Sequence, residues 1–131
     1  MTRIRPKPWW LEAFTQPYQW VSLAGTIYHP EDIEPYRWPT LIAHESVHLE
    51  QQQRDGLVCF LWRYLTNPHA RLEYEAEAIA VEVGQSNPAA RAGLIDWYAQ
   101  ALAGKPYRHA ASSPMAALDS ITRHMTTKGN P

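Results

Sequence analysis

The spacing of apolar and polar positions changes character along the chain, and the breaks fall at proline and glycine. Residues 1–17 carry Pro6, Pro8 and Pro17 with no sustained period, which predicts an irregular lead-in holding one short helical turn around Trp9 to Phe14. Tyr18 to Tyr28, YQWVSLAGTIY, is the one stretch dense in aromatic and β-branched residues, and Gly25 divides it into two short strands. Helical spacing then takes over. Pro39, a residue favoured at the first helical position, opens a helix that runs to about Arg54, ahead of Asp55-Gly56. The apolar run Leu57 to Leu65 reads as a further helix that buries itself beneath its neighbours. Asn67-Pro68 starts a helix that stops at Gly84, Asn87-Pro88 another that closes at Gly104, and Ser113-Pro114 a last one to about His124. The expected class is α+β, mostly helical, a single domain over residues 1–131 with a small N-terminal β-sheet beside the helix at 39–54.

Composition narrows what such a domain does. At 131 residues, 45% hydrophobic and 11% aromatic, the chain can build one core but has no room for two. A formal net charge of −1 offers no basic surface for nucleic-acid phosphates, so no nucleic-acid partner is expected. The locally positive start, TRIRPK at Thr2 to Lys7, reads as a solvated tail. Cys59 stands alone, which rules out an internal disulfide and a thiolate zinc knuckle. The N-terminus lacks the apolar core of a signal peptide, and the longest greasy run is short and interrupted by Arg63. A soluble, cytoplasmic protein without a membrane span is therefore expected. Nothing in the sequence sets its oligomeric state.

The candidate chemistry sits inside the first long helix. LIAHESVHL, Leu41 to Leu49, places two histidines and a glutamate in an otherwise apolar segment, where polar groups are costly unless something satisfies them. Residues four apart lie one turn up on the same helix face, so His44 and His48 can converge on one tetrahedral metal ion. Glu45, about 100° around from His44, can hold a water rather than the metal. This is the HExxH arrangement. Trp38, Leu41, Ile42 and Leu49 surround the direction Glu45 takes, with Ala43 and Val47 beyond the histidines. The plainer reading, two core histidines bonded to backbone, leaves that glutamate buried without a partner.

A catalytic site usually needs a third protein ligand. The later helix offers RLEYEAEA, Arg71 to Ala78. Leu72, Ala76, Ile79, Ala80 and Val83 define an inward arc, with Glu73 and Glu77 at its edge and Glu75 and Glu82 turned about 180–200° from Glu73. Glu73 is therefore the expected third ligand and Glu77 the acid that orients a ligating histidine, while Glu75 and Glu82 are expected in solvent. His69, which could ligate in place of Glu73, is expected exposed near its helix start, and His29 and His124 at the surface. Gln51 to Gln53 are expected only to solvate the first helix.

His44-Glu45-Ser46-Val47-His48, followed on a later helix by Glu73 and an acid four positions on, resembles the gluzincin group of zinc metallopeptidases, to which thermolysin belongs. More narrowly, RLEYEAEAIA resembles the Arg-x-x-Glu-x-Glu-Ala-Asp segment of HtpX-type peptidases, and the chain also resembles small soluble metallopeptidase-like proteins of bacteria and phages. The likeness covers residues 39–83. It implies a minimal zincin-like fold, Zn2+ as cofactor, His44, His48 and Glu73 as ligands, Glu45 as general base and Glu77 behind a histidine. The implied activity is hydrolysis of a peptide or protein substrate. Two departures stand out: Glu77 replaces the family's Asp, and the transmembrane helices of the HtpX type are missing. A metzincin is excluded, because Gln51 and Arg54 stand where that group needs Gly and His.

In zincins an extended substrate pairs with an edge strand, and Gly25 to Tyr28 is the segment suited to that role. Tyr28, Tyr107 and His109 are candidate oxyanion donors or substrate contacts. Trp9-Trp10 suggests a lead-in that covers the cleft. Two competing functions remain open on sequence alone: a non-catalytic binding or structural protein that keeps zinc for stability, and an amidase acting on peptidoglycan.

Overall fold

The computed structural model describes residues 2–16 and 18–127; Met1, Pro17 and residues 128–131 fall outside it, and with them both ends of the expected lead-in. The fold is α+β and mostly helical. In chain order come β1 (Arg3–Pro6), α1 (Trp9–Glu12), β2 (Val21–Leu23), β3 (Thr26–His29), α2 (Pro39–Asp55), α3 (Leu57–Thr66), α4 (Pro68–Gln85), α5 (Arg91–Leu102) and α6 (Pro114–Thr127). Short 3-10 turns at Pro35–Arg37, Pro88–Ala90 and Lys105–Tyr107 link them.

The two strands expected around Gly25 form a hairpin. Ala24 and Gly25 take φ values of 50° and 85°, the positive-φ pair that a two-residue turn between right-twisted strands requires. The sheet has a third strand that the prolines concealed. Segment TRIRPK is not a solvated tail but contains β1, parallel to β3 from Arg3↔Thr26 to Pro6↔His29. Pro6 is tolerated because β1 lies at an edge of the order β1-β3-β2. Lys7 is buried, its Nζ donating to Thr15 Oγ1 (3.1 Å) and the Gln16 carbonyl (2.7 Å), and burial lowers its pKa. Trp9 is 82% exposed and Trp10 41%. His29, expected at the surface, is buried against its own chain, with Nδ1 2.7 Å from the Pro30 carbonyl.

With β3 in the centre, Gly25 to Tyr28 cannot offer a free edge to a substrate. The edge facing α2 is β2, and it is already engaged. Gln52 Nε2 donates to the Ser22 carbonyl (2.7 Å) while Gln52 Oε1 accepts from the Ala24 amide (3.0 Å), tying strand to helix.

Helix boundaries follow the proline and asparagine signals closely. Asn67 caps α4 by accepting from the Ala70 amide at 3.1 Å, with Pro68 in the first helical position. α3 departs from expectation: only Phe60 is buried, while Val58, Trp62 and Leu65, at i, i+4 and i+7, form an apolar stripe facing solvent. It lies against α2 and α4 rather than beneath them.

α4 is the central helix. Its Leu72, Ala76, Ile79 and Val83 join Tyr98 and Leu102 of α5 and Ala117 and Ile121 of α6 in the main core. The opposite side of α4, carrying Arg71, Glu75, Ala78 and Glu82, is buried too, against α2 and α3. No helix among the described residues is long and apolar enough to cross a membrane.

Candidate metal centre

His44 and His48 project from α2 toward α4, as their spacing requires, and both are buried. Between them stands Glu75, not Glu73. Glu75 Oε1 lies 3.2 Å from Nε2 of each histidine, and the three donor atoms are within 4.8 Å of one another, a grouping that could hold a metal ion. Glu73 points the other way. Its Oε1 pairs with Arg123 Nη1 (3.5 Å) and His124 Nε2 (3.4 Å) on α6, beside an open surface depression of about 360 Å³. The expected ligand is thus corrected by two residues along α4, a rotation of about 200°. The inward apolar arc is buried as expected, but it faces α5 and α6; the side facing α2 is the polar one.

The histidines are oriented from behind. His44 Nδ1 is 2.8 Å from Glu82 Oε1, which also accepts the Tyr98 hydroxyl at 2.7 Å, and the Tyr98 ring stacks on the imidazole at 5.8 Å. Glu82, expected in solvent, is 4% exposed. His48 Nδ1 is 2.9 Å from Gln51 Oε1, and Gln51 Nε2 donates to the Tyr74 carbonyl (2.9 Å) and to Glu77 Oε1 (2.8 Å). Glu77 is thus linked to His48 through Gln51, and the glutamines expected merely to solvate α2 include two buried structural residues, Gln51 and Gln52. With both Nδ1 atoms facing acceptor oxygens, the protons belong there and the Nε2 lone pairs are directed at the centre.

Glu45 is buried on the sheet side of α2, where Ser22 Oγ lies 2.5 Å from its Oε2 and 2.9 Å from its backbone carbonyl. It follows His44 directly in α2, and its carboxylate lies outside the donor grouping. Of the three expected oxyanion donors, Tyr107 packs partly buried against the main core, and burial, then the charges of Glu75, Glu45 and Glu82, push its pKa well up. His109 is exposed, its Nδ1 2.9 Å from the Ala103 carbonyl, and Tyr28 sits half-buried in the central strand. His69 is exposed, as expected. Arg71 holds the surrounding backbone, donating to the carbonyls of Tyr64 (2.5 Å), Tyr107 (3.0 Å) and Arg108 (3.2 Å).

Three carboxylates, Glu45, Glu75 and Glu82, are thus buried around two imidazoles, and among the described residues no lysine or arginine pairs with any of them. Uncompensated buried negative charge is strongly unfavourable, and a divalent cation is the simplest remedy. Two imidazole nitrogens and one carboxylate oxygen are also a donor set suited to Zn2+. Both observations fit the metal that the sequence implied.

In the metal-free chain protons must take its place. Burial alone would lower the His44 pKa, but hydrogen bonds to Glu75 and Glu82 carry it up to about 10; His48 is raised by Glu75 against the same burial. Burial would raise Glu75, but the charges and hydrogen bonds of His48 and His44 hold it well below its usual range. A histidine whose folded pKa exceeds its unfolded value of 6.5 contributes stability that is complete below that value and lost as pH rises through about 10. The metal-free protein should therefore lose thermal stability from pH 6.5 toward 10, and the zinc-loaded protein should not. Melting temperature against pH, with and without chelator, measures this; a flat metal-free profile over that range contradicts it.

No protein-family model matches the chain, and neither a curated protein nor a solved structure matches it. What fold and site define is a chemical class, a mostly helical α+β domain with a buried donor set of two histidines and one carboxylate.

Proposed function

We propose that this protein is a zinc-dependent hydrolase of peptide (amide) bonds, with His44, His48 and Glu75 as ligands and Glu45 as general base. The observation that carries this reading is the convergence of the three donor atoms within 4.8 Å while the neighbouring Glu45, one residue from a ligand, keeps its carboxylate out of the donor set. A closed structural site has no use for such a base.

Zinc, when bound, supplies Lewis-acid chemistry, acidifying a water and polarising a carbonyl. Glu45 takes the proton of the attacking water on a carboxylate oxygen and delivers it to the leaving amine, so that the base is regenerated. Ser22 holds Oε2 of that carboxylate and leaves Oε1 for the water. Tyr107, held as a neutral phenol, is the donor to the oxygen on which negative charge develops.

One observation favours a second reading, a non-catalytic zinc centre that stabilises a binding protein: His44, Glu45, His48 and Glu75 are all 7% exposed or less. Digestion of a mixed peptide library and of peptidoglycan stem peptides by the zinc-loaded protein separates the two. Hydrolysis is expected to stop with a chelator and return with added zinc. Stoichiometric zinc with no cleavage of either substrate set transfers the assignment to the non-catalytic reading.

A further inference from the structure

The two oxygens of Glu75 are treated differently by the fold. Oε1 lies 3.2 Å from both histidine Nε2 atoms, whereas Oε2 accepts the hydroxyl of Tyr64 at 2.5 Å. Tyr64 comes from α3, a different element from either ligand helix, and its ring is held on three sides. Phe60 stacks on it at 5.7 Å, the His48 ring meets it edge-on at 6.4 Å, and Arg71 binds its carbonyl while the guanidinium lies 6.0 Å from the ring centroid. A phenol fixed in this way is not an incidental contact.

A carboxylate next to a divalent cation can bind through one oxygen or two. Two-oxygen binding would consume a coordination position that a hydrolytic zinc site keeps open for water or substrate. We infer that Tyr64 sets how Glu75 takes the metal: by holding Oε2 it confines the carboxylate to one-oxygen coordination through Oε1 and preserves an open position. The inference rests on the metal-centre reading above and makes Tyr64 a positioning residue rather than a ligand. Its hydroxyl is the feature that matters, since the ring's packing would survive loss of the oxygen. Tyr98 provides an internal contrast, because its hydroxyl serves Glu82 behind His44 and leaves the Glu75 carboxylate untouched.

The test is metal spectroscopy on the full chain loaded with Co2+ and, separately, Zn2+, for wild type, Tyr64→Phe and Tyr98→Phe, with circular dichroism to show that each is folded. X-ray absorption on the zinc form should give wild type two nitrogen donors and one carboxylate oxygen plus solvent. Tyr64→Phe should gain a second carboxylate oxygen, and its Co2+ d–d bands should weaken as coordination number rises. Tyr98→Phe, which acts on His44 through Glu82 and can lower affinity, should keep the wild-type number of carboxylate oxygens and the wild-type band intensity. Identical spectra for wild type and Tyr64→Phe overturn the inference, as do equal changes in both variants, which would report general loosening. A phenolate-to-metal charge-transfer band in wild type overturns it by making Tyr64 a ligand. These failures leave the metal centre standing; no metal uptake by wild type removes the centre and the inference together.

Discussion

Replacing Glu75 with alanine is expected to abolish stoichiometric zinc binding, whereas Glu73→Ala should keep it. Glu75 Oε1 is the donor between the two Nε2 atoms, while Glu73 spends its carboxylate on Arg123 and His124 at the far side of α4. Loss of a group that merely orients a ligand costs roughly 10–100-fold in metal affinity, so loss of the ligand itself should exceed about 100-fold. The substitution also strips partners from two buried histidines and from Tyr64, which costs about 3–5 kcal/mol. The near-isosteric Glu75→Gln, checked for fold by circular dichroism, therefore accompanies it. Elemental analysis after zinc loading decides the matter. Zinc retained by both Glu75 variants and lost from Glu73→Ala would reverse the assignment.

The second large effect concerns Glu45. If this carboxylate is the general base, Glu45→Gln should leave zinc stoichiometry intact and lower hydrolysis by about 10²–10⁴-fold. Glutamine preserves shape and can still accept the Ser22 hydroxyl, so the bond to β2 survives and the fold is not at stake. Turnover of the most readily cleaved library peptide, measured alongside zinc content, is the readout. Undiminished turnover in Glu45→Gln would falsify the role given to this residue, while loss of zinc would show that its carboxylate supports the site structurally.

The sheet shows where local pattern stops being informative. The β2–β3 hairpin was legible because a positive-φ turn needs glycine or its like, and Gly25 marks it. β1 was not, since its strand character comes from pairing with β3, while Pro6 within it and Pro8 just after it argue against a strand. α3 was legible as a helix from its apolar run, yet that run did not reveal which residues would be buried: its outer face carries Val58, Trp62 and Leu65 exposed. Tyr64 and Tyr98 carry no spacing signal at all, because each reaches the site from a helix that supplies no ligand.

α4 also carries a polar stripe. Arg71, Glu75, Ala78 and Glu82 recur at i, i+4, i+7 and i+11, the same stripe spacing as His44, His48 and Gln51 on α2. Two polar stripes of matching period, one with a small residue that lets helices approach, can bury each other if their donors and acceptors pair. A hydrophobic period marks only the apolar buried face of α4 and passes over this polar one.

By itself the sequence determined the helices and most of their limits, because proline, asparagine and glycine act locally on the backbone. It also determined that His44 and His48 share one face with Glu45 beside them, because helical geometry is intrinsic to the segment. Only the tertiary structure decided which carboxylate meets those histidines. α4 is buried on opposite sides, by apolar contact with α5 and α6 and by hydrogen bonding with α2 and α3, and a hydrophobic period reports just the first of these.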